Sequence, residues 1–397
     1  MLVDVLIVGG GPVGLYLAAA LLQRGVGVRV LEQREQRDRH SRAIGIHPPS
    51  LAALDGINVA GSMVRDGVPI RTGVAVSGGS TVGTMSFAHV SDAFPFVLAL
   101  PQFRTEQLLE ARVHALDSEA LVRGVKAKAL RDDDGGTATV VVGPSEGGCG
   151  AEREFSARIV VAADGARSFL RNRLAVPVRR RAYPDHYLMG DFADSGRYGT
   201  DAVLFLEQDG IVESFPLPGG VRRWVVRLGQ PAQRAGPELL AQLVMRRTGI
   251  LPDATTNSMV SAFSVRSVLA RRTAVGRVFL VGDAAHEISP IGGQGMNLGW
   301  LDAQALAPLL LRALAGAPLE PQAKAFEAAR LRAAALARRQ SEINMALGRP
   351  LPGPLLRLRN AGIAAAAATP PVNRWVARRF TMHQRTDPAP ARGLSPT

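Results

Sequence analysis

The chain contains one cysteine, Cys149, in a glycine-rich loop, so it can form neither an internal disulfide nor a CxxC metal or redox pair. That usage fits a reducing, cytoplasmic setting. Lysine is nearly absent: Lys126, Lys128 and Lys324 stand alone among 47 basic residues. The net charge of +13 is scattered, densest at Arg179, Arg180 and Arg181, and no nucleic-acid-reading motif accompanies it. Nucleic acid is therefore not an expected partner. Long hydrophobic runs are also missing. Residues 1–22 are apolar at first sight, but Asp4, the lack of a basic start and three consecutive glycines exclude a signal peptide. Residues 361–368 are too short to span a bilayer, so no integral membrane segment is expected. No metal-ligating cluster and no Ser/His/Asp constellation stands out, and no metal is expected.

What is present is ordinary globular material, 47% hydrophobic and 20% charged, enough for one large or two intimate domains. Residues 3–8 form a short apolar, β-branched run that predicts a buried parallel strand. Gly9-Gly10-Gly11-Pro12-Val13-Gly14 follows, and residues 15–24 predict a helix that is apolar almost all round and stops at Gly25. Residues 28–31 predict a second strand closed by Glu32, which completes a βαβ opening. Farther on, residues 103–116 have helical spacing. Residues 121–130 and 137–142 flank the turn Asp132-Asp133-Asp134-Gly135-Gly136 as a hairpin, and residues 157–162 predict a strand. Alternation at residues 202–205, 211–215 and 223–227, with turns at Asp209-Gly210 and Pro218-Gly219-Gly220, predicts an inserted antiparallel sheet. A helix at residues 238–247 packs beside it. Residues 277–281 return to a buried strand, and residues 298–314 and 322–347 predict two long helices. Short helices after Pro350 fold back on the core, and the Pro-containing end from Thr386 trails into solvent. There is no internal repeat.

The first glycine cluster has a chemical reading. Gly9 suits a tight turn, Gly11 lets a pyrophosphate approach the backbone through Pro12 and Val13, and Gly14 lets helix and strand pack closely. The phosphates then meet the free N–H groups at the helix start. Glu32, about 18 residues beyond Gly14, ends the second strand where a carboxylate accepts hydrogen bonds from ribose hydroxyls, with Gln33 beside it. This fingerprint specifies a dinucleotide but does not separate NAD from FAD.

Later segments make that separation. Gly282-Asp283-Ala284-Ala285-His286 follows a predicted strand, and Pro290-Ile291-Gly292-Gly293-Gln294-Gly295-Met296-Asn297 opens a helix. Together they resemble the second FAD motif of the flavin monooxygenases of the para-hydroxybenzoate hydroxylase family. Ala163-Asp164-Gly165-Ala166-Arg167-Ser168 resembles that family's Asp-Gly motif, Ser41-Arg42-Ala43 its Arg-Ala pair, and Leu100-Pro101-Gln102-Phe103-Arg104 its cofactor-contacting segment. Residues 210–220 resemble its substrate-domain hairpin. The resemblance spans residues 3 to about 347 and implies the short form of the family, without a thioredoxin-like C-terminal domain.

It also implies an α/β fold: a Rossmann-like FAD-binding domain, an inserted antiparallel β-sheet substrate domain and C-terminal helices. The expected division is FAD-binding parts at residues 1–70, 101–183 and 269–347, substrate parts at 71–100 and 184–268, and a helical segment and tail at 348–397. By resemblance, Gly9, Gly11, Pro12, Val13, Gly14, Glu32, Gln33, Arg42, Gln102, Asp164, Gly165, Asp283, Gly293, Gly295, Met296 and Asn297 hold FAD. A helix beginning near Asn297 would face the flavin edge where reduced flavin carries negative charge. The backbone carbonyl of Pro290 is expected beside the reacting centre. His286 packs or hydrogen-bonds near the flavin in preference to acting as a base. NAD(P)H, for which no second fingerprint exists, is a transient co-substrate, and O₂ is expected to add to the flavin as a C4a-hydroperoxide that oxygenates an aromatic, phenolic or polyketide-like small molecule. The cofactor carries this chemistry; the protein supplies orientation, dryness and electrostatics.

Phe192, Phe205, Phe215 and Trp224 are candidates to line the substrate pocket, with ordinary sheet core as the equal alternative. Tyr183 and His186 are weaker candidates for a phenol contact. Several readings stay open in the sequence: epoxidation or Baeyer–Villiger insertion, a prenyl-reductase-like oxidoreductase that inserts no oxygen, and a non-catalytic FAD or basic-surface binder. The lack of a Trp-x-Trp-x-Ile-Pro segment argues against a tryptophan halogenase. Monomer and homodimer are equally compatible with the sequence.

Overall fold

Strand β1 (Leu2–Val8) is apolar on both faces because it is central, pairing in parallel with β2 (Val28–Glu32) on one side and a later strand on the other. Between them runs α1 (Pro12–Leu22), buried from Gly14 to Leu21, which accounts for a helix apolar around its whole circumference. The structure is a computed structural model describing residues 2–37, 43–133, 136–145, 151–232 and 234–383.

A hairpin, β3 (Thr72–Ser77) and β4 (Ser80–Ser86), then leaves this sheet for a second one. Helix α2 (Gln102–Leu116) packs on α1, and β5 (Leu121–Arg123) extends the parallel sheet beside β2. Residues 121–130, expected as one strand, are two. Gly124 at φ +72° breaks the run, and β6 (Val125–Asp133) turns off into an antiparallel hairpin with β7 (Thr137–Pro144). The expected turn at 134–135 lies outside the described residues, as do Cys149 and the tail from residue 384. Strand β8 (Arg153–Ala162) returns to the centre beside β1.

The second sheet is built mainly from β9 (Val178–Ala193), β10 (Ala202–Phe205), β11 (Val212–Leu217) and β12 (Val221–Leu228). Helix α3 (Pro237–Thr248) covers one face, and β13 (Met259–Ala270) completes the pairing with β9. The length of β9 was hidden in the sequence. Its first half is exposed arginines, and Pro184 sits where the register shifts between Ala182 and His186. The order among the described residues is β13-β9-β12-β11-β10-β3-β4, with the short strand His286–Glu287 paired to the outer edge of β13, and it is antiparallel except for the parallel β10–β3 pair.

The chain closes with β14 (Val278–Leu280) in the parallel sheet beside β8, then helices α4 (Gln294–Leu314) and α5 (Leu319–Leu347). Two further helices, α6 (Gly353–Ala368) and α7 (Pro370–Phe380), fold back against β4. The approach is close: a Cβ on Gly83 would lie 2.6 Å from that of Ala367. No helix among the described residues is long and apolar enough to cross a membrane.

Candidate functional site

One cavity of about 990 Å³ lies where the parallel sheet, the second sheet and helices α5–α7 meet. Its two ends differ in chemistry. Backbone turns rich in glycine form one end, and side chains of the second sheet form the other.

The three glycines of the first turn do three separate jobs. Gly9 has φ +114°, and a Cβ there would lie 2.2 Å from the carbonyl oxygen of Ala163. Gly14 allows α1 to rest on the preceding turn, since a Cβ would fall 2.0 Å from the Gly9 carbonyl oxygen. Gly11 meets no protein atom within 4 Å on the Cβ side and opens on the cavity. Pro12 occupies the first helical turn, where its missing N–H costs nothing, and the N–H groups of Val13 and Gly14 have no intrahelical acceptor. Glu32 anchors the turn: its Oε2 accepts the Gly10 N–H at 2.7 Å, and its Oε1 accepts Arg34 N at 2.8 Å and Nε at 3.0 Å. Glu32 itself does not line the cavity; Arg34 and Glu106 do. Burial raises the Glu106 carboxyl, against the opposing hydrogen bond from Gln102 Nε2 at 2.7 Å.

The separated motifs converge on Val13. Cβ atoms on Gly282 and Gly299 would approach Val13 Cγ2 at 3.1 and 2.5 Å, so both glycines let the second motif and α4 press against the first turn. Asp283 projects from this junction into the cavity. Its side chain is exposed to the cavity, and desolvation by the surrounding protein pushes its carboxyl up to about 6. Pro290 lines the cavity, and its carbonyl accepts the Gly293 N–H at 2.9 Å to close a turn. Gly293, at φ +66°, caps α4, which starts at Gln294 and not near Asn297. Gly295 and Met296 therefore present first-turn N–H groups, and both line the cavity.

Asn297 serves otherwise. Its Nδ2 donates to Gly45 O at 2.9 Å and Gly293 O at 2.6 Å, and its Oδ1 accepts the His47 N–H at 2.8 Å. It is wholly buried, holds the His47 segment against α4, and does not line the cavity. His47 does line it, its ring tilted against Phe380 at 5.7 Å, and burial lowers its imidazole to about 4, keeping the ring neutral.

His286 belongs to a buried network that the sequence did not disclose. Its Nε2 hydrogen-bonds Asp302 Oδ2, while Asp302 Oδ1 accepts Arg330 Nε at 2.7 Å and Oδ2 also accepts the Gly282 N–H at 3.2 Å. Burial opposes charge on His286, but the Asp302 carboxylate outweighs it and raises the imidazole; Asp302 is correspondingly lowered despite its own burial. The network bolts the second motif to α4 and α5, and His286 does not line the cavity.

On the second sheet, strand alternation decides which residues see the cavity. Phe192, Phe205 and Trp224, candidates for the pocket, do not line it. They point to the α3 side and pack with Leu240 and Val244, Phe205 stacking on Trp224 at 5.8 Å. Of the four, Phe215 alone lines the cavity, joined by Met189, Leu204, Glu213, Arg223 and Val225. Arg223 is held bidentately by Asp191, Nε–Oδ1 at 2.6 Å and Nη2–Oδ2 at 2.7 Å. Tyr183 hydrogen-bonds Glu342 at 2.6 Å and His186 contacts Ser264 at 2.8 Å; neither lines the cavity.

Glu213 is 8% exposed, and burial alone pushes its carboxyl up to about 7 from 4.5. Below the unfolded value the group is neutral in both states and its ionisation adds no cost. As pH climbs through that window the unfolded chain ionises while the folded one resists, so stability is lost. Glu213→Gln should match the parent near pH ~4.5 and exceed it by about 3 kcal/mol near pH ~8. Denaturant unfolding at the two pH values checks this, and an equal difference at both would refute it.

The remaining sequence candidates are distributed as follows. Gln102 and Gly165 line the cavity, and nothing stands within 4 Å of the Gly165 Cβ position. Asp164 accepts the Leu170 N–H at 3.1 Å through Oδ2; its Oδ1 is buried without a partner, and burial raises its carboxyl. Gln33 is exposed after β2 and does not line the cavity. Arg42 lies outside the described residues. These donors fit a dinucleotide: two turns are open where a Cβ would enter the cavity, two helix starts are unpartnered, and one deep carboxyl is suited to a polyol. Among the described residues no cluster of three or more metal-ligating side chains occurs.

The family described as an FAD binding domain matches residues 2–341. The chain is 34% identical over 307 residues to a rifampicin monooxygenase of Streptomyces venezuelae, covering 76% of this chain and 62% of that protein. It is 32% identical over 322 residues to an uncharacterized aromatic compound monooxygenase of Bacillus subtilis, covering 79% and 62% respectively. The chain thus matches a little over three fifths of the length of these curated relatives. In fold it resembles the p-nitrophenol 4-monooxygenase of Pseudomonas putida, with a TM-score of 0.86 at 23% identity over 97% of this chain and 100% of that one.

Proposed function

Because the chain belongs to the FAD binding domain family, we propose that it is an FAD-dependent, NAD(P)H-consuming monooxygenase that hydroxylates an aromatic, phenolic or polyketide-like small molecule. The observation that carries this reading is one cavity whose glycine-turn end and apolar-sheet end are continuous. Relatives named for aromatic compounds and for rifampicin support the substrate class. In this reading residues 1–70, 101–183 and 269–347 hold the cofactor, and residues 71–100 and 184–268 hold the substrate.

FAD held there would supply the redox chemistry, hydride uptake from NAD(P)H and activation of O₂. The chain's residues do the rest. Val13 and Gly14 offer backbone N–H groups to the pyrophosphate at the positive end of α1. Glu32, which does not line the cavity, holds the turn in shape through the Gly10 N–H and Arg34. Asp283 would accept hydrogen bonds from the ribityl chain, and Gln102 and Gly165, which line the same cavity, would help hold the cofactor. The N–H groups of Gly295 and Met296, at the start of α4, favour negative charge on the ring edge. His47, neutral, adds no competing charge. Pro290 places its carbonyl, already shaped by the Gly293 turn, where a substrate hydroxyl can be oriented. Phe215, Leu204 and Val225 exclude water.

The test is a panel of phenols incubated with FAD-loaded protein, NADH or NADPH, and labelled O₂. One labelled oxygen atom in a product, with ligand-stimulated NAD(P)H oxidation, is expected. Turnover onto an organic acceptor without O₂ would replace this reading with a reductase.

A further inference from the structure

Within the cavity, Glu213 is out of keeping with its surroundings. It sits on the apolar wall, opposite Leu204 of β10 and Val225 of β12 in register, with Phe215 two residues along its own strand. It is 8% exposed, faces the cavity, and has no hydrogen bond or ion pair with any described residue. A buried carboxyl with no partner costs stability unless something else satisfies it. The chain places that cost at the end of the cavity away from the glycine turns.

The cations nearby do not answer it. Arg223 spends two hydrogen bonds on Asp191. Arg227 and Arg349 are both paired to Asp185, at 3.0 and 2.7 Å. Arg379 of α7 donates to Gln340 of α5 at 2.7 Å. Tyr187 of β9 feels the Glu213 charge, which adds to burial in raising its phenol, and the Tyr187 hydroxyl is buried without a partner. From β3 the neighbours are Val74 and Ala75, and from α6 Ile363 and Ala366, none of which titrates. Among the described residues the sheet end of the chamber therefore holds a carboxyl acceptor without a hydrogen-bond partner, and Arg223, Arg227, Arg349 and Arg379 are each engaged elsewhere.

We propose that Glu213 selects the substrate, accepting a hydrogen bond from a hydroxyl on the aromatic molecule and turning away aromatic carboxylates. The inference rests on the aromatic-hydroxylase reading and narrows it to neutral phenol-type substrates. A hydroxyl donor satisfies the carboxylate. A ligand carboxylate would be brought against it in a dry pocket where like charges repel strongly.

The two ligand types should respond oppositely to pH, because burial pushes Glu213 up to about 7. A donor stabilises the ionised carboxylate, so its affinity rises with pH; an anionic ligand does the reverse. The probes are 2-naphthol, 2-methoxynaphthalene and 2-naphthoate, titrated into FAD-loaded protein and read by the change in the flavin absorption spectrum. At about pH 8 the parent is expected to bind 2-naphthol about tenfold or more tightly than 2-methoxynaphthalene, the scale of one charge-assisted hydrogen bond. Between about pH 5.5 and about pH 8.5, its affinity for 2-naphthoate should fall about tenfold while that for 2-naphthol rises. Glu213→Gln should flatten both profiles and bring 2-naphthoate close to 2-naphthol; Glu213→Asp should keep both slopes. The proposal is overturned if Glu213→Gln retains the two slopes, or if the parent binds all three probes alike. If the parent holds FAD and none of the probes perturbs it, the aromatic-substrate reading falls and takes this inference with it. Should Glu213→Gln fail to fold, Glu213→Ala read in the same titrations takes its place, with the same two outcomes.

Discussion

Gly11→Ala is expected to yield a protein that folds as the parent does and loses FAD, whereas Gly14→Ala should yield one that does not fold stably at all. The two glycines are three residues apart and serve different masters. At Gly11 a methyl group would meet no protein atom within 4 Å; it would stand in the space the turn opens to the cavity. Nothing in the folded chain resists it, but a pyrophosphate seated on the N–H groups of Val13 and Gly14 would be pushed away. A loss of affinity of about tenfold or more, at least ~1.4 kcal/mol, is expected. At Gly14 the same methyl group would fall 2.0 Å from the Gly9 carbonyl oxygen and 3.3 Å from Ile7 Cγ2. The first neighbour is backbone at the end of a central strand and cannot rotate away, so α1 must lift off the sheet. The cost is expected to exceed the ~1–3 kcal/mol typical of overpacking. Urea unfolding without cofactor, paired with FAD titration of each variant, separates the two effects. Equal destabilisation by both substitutions would contradict this division of labour.

Asp302→Ala should cost about 3–5 kcal/mol of stability, although the residue touches neither the cavity nor the surface. It is the single anion shared by His286 and Arg330, and it also accepts the Gly282 N–H. Removing it leaves Arg330, 5% exposed, as a buried cation without its partner, and leaves the Gly282 N–H without its acceptor. The pair Asp302→Leu with Arg330→Met should cost less than Asp302→Ala alone, because it removes the stranded charge together with its counterion. Denaturant midpoints of the three proteins decide the matter. A double variant less stable than Asp302→Ala would mean that packing, not charge, holds this corner.

The glycine turns were legible in the sequence because each answers a local requirement. Gly9, Gly11 and Gly14 mark a turn, an opening and a close approach, and each excludes a Cβ for a reason confined to a few residues. The helical face at Gly295 and Met296 was legible too, although the helix begins at Gln294 and Asn297 spends its side chain on His47 and Gly45. The inserted sheet was visible as alternation, but the side of it that faces the cavity was not. Both faces of β10, β11 and β12 carry apolar residues, because α3 buries one and the cavity wall the other. Aromatic size favoured Phe205 and Trp224, and their place against α3 removed them. Glu213 gave no signal at all, being one carboxyl in an alternating strand.

By itself the sequence determined which separate turns need a backbone without side chains, and in what order they occur. Those are short-range steric facts, written in the residues that lack side chains. Only the tertiary structure decided that Val13 is pinched between Gly282 and Gly299, that Asp302 and Arg330 stand behind His286, and that α6 and α7 wall the chamber. It alone set Glu213 on an apolar wall with no partner among the described residues. Such outcomes depend on which distant surfaces meet, and a strand's alternation names two faces without saying what will cover either.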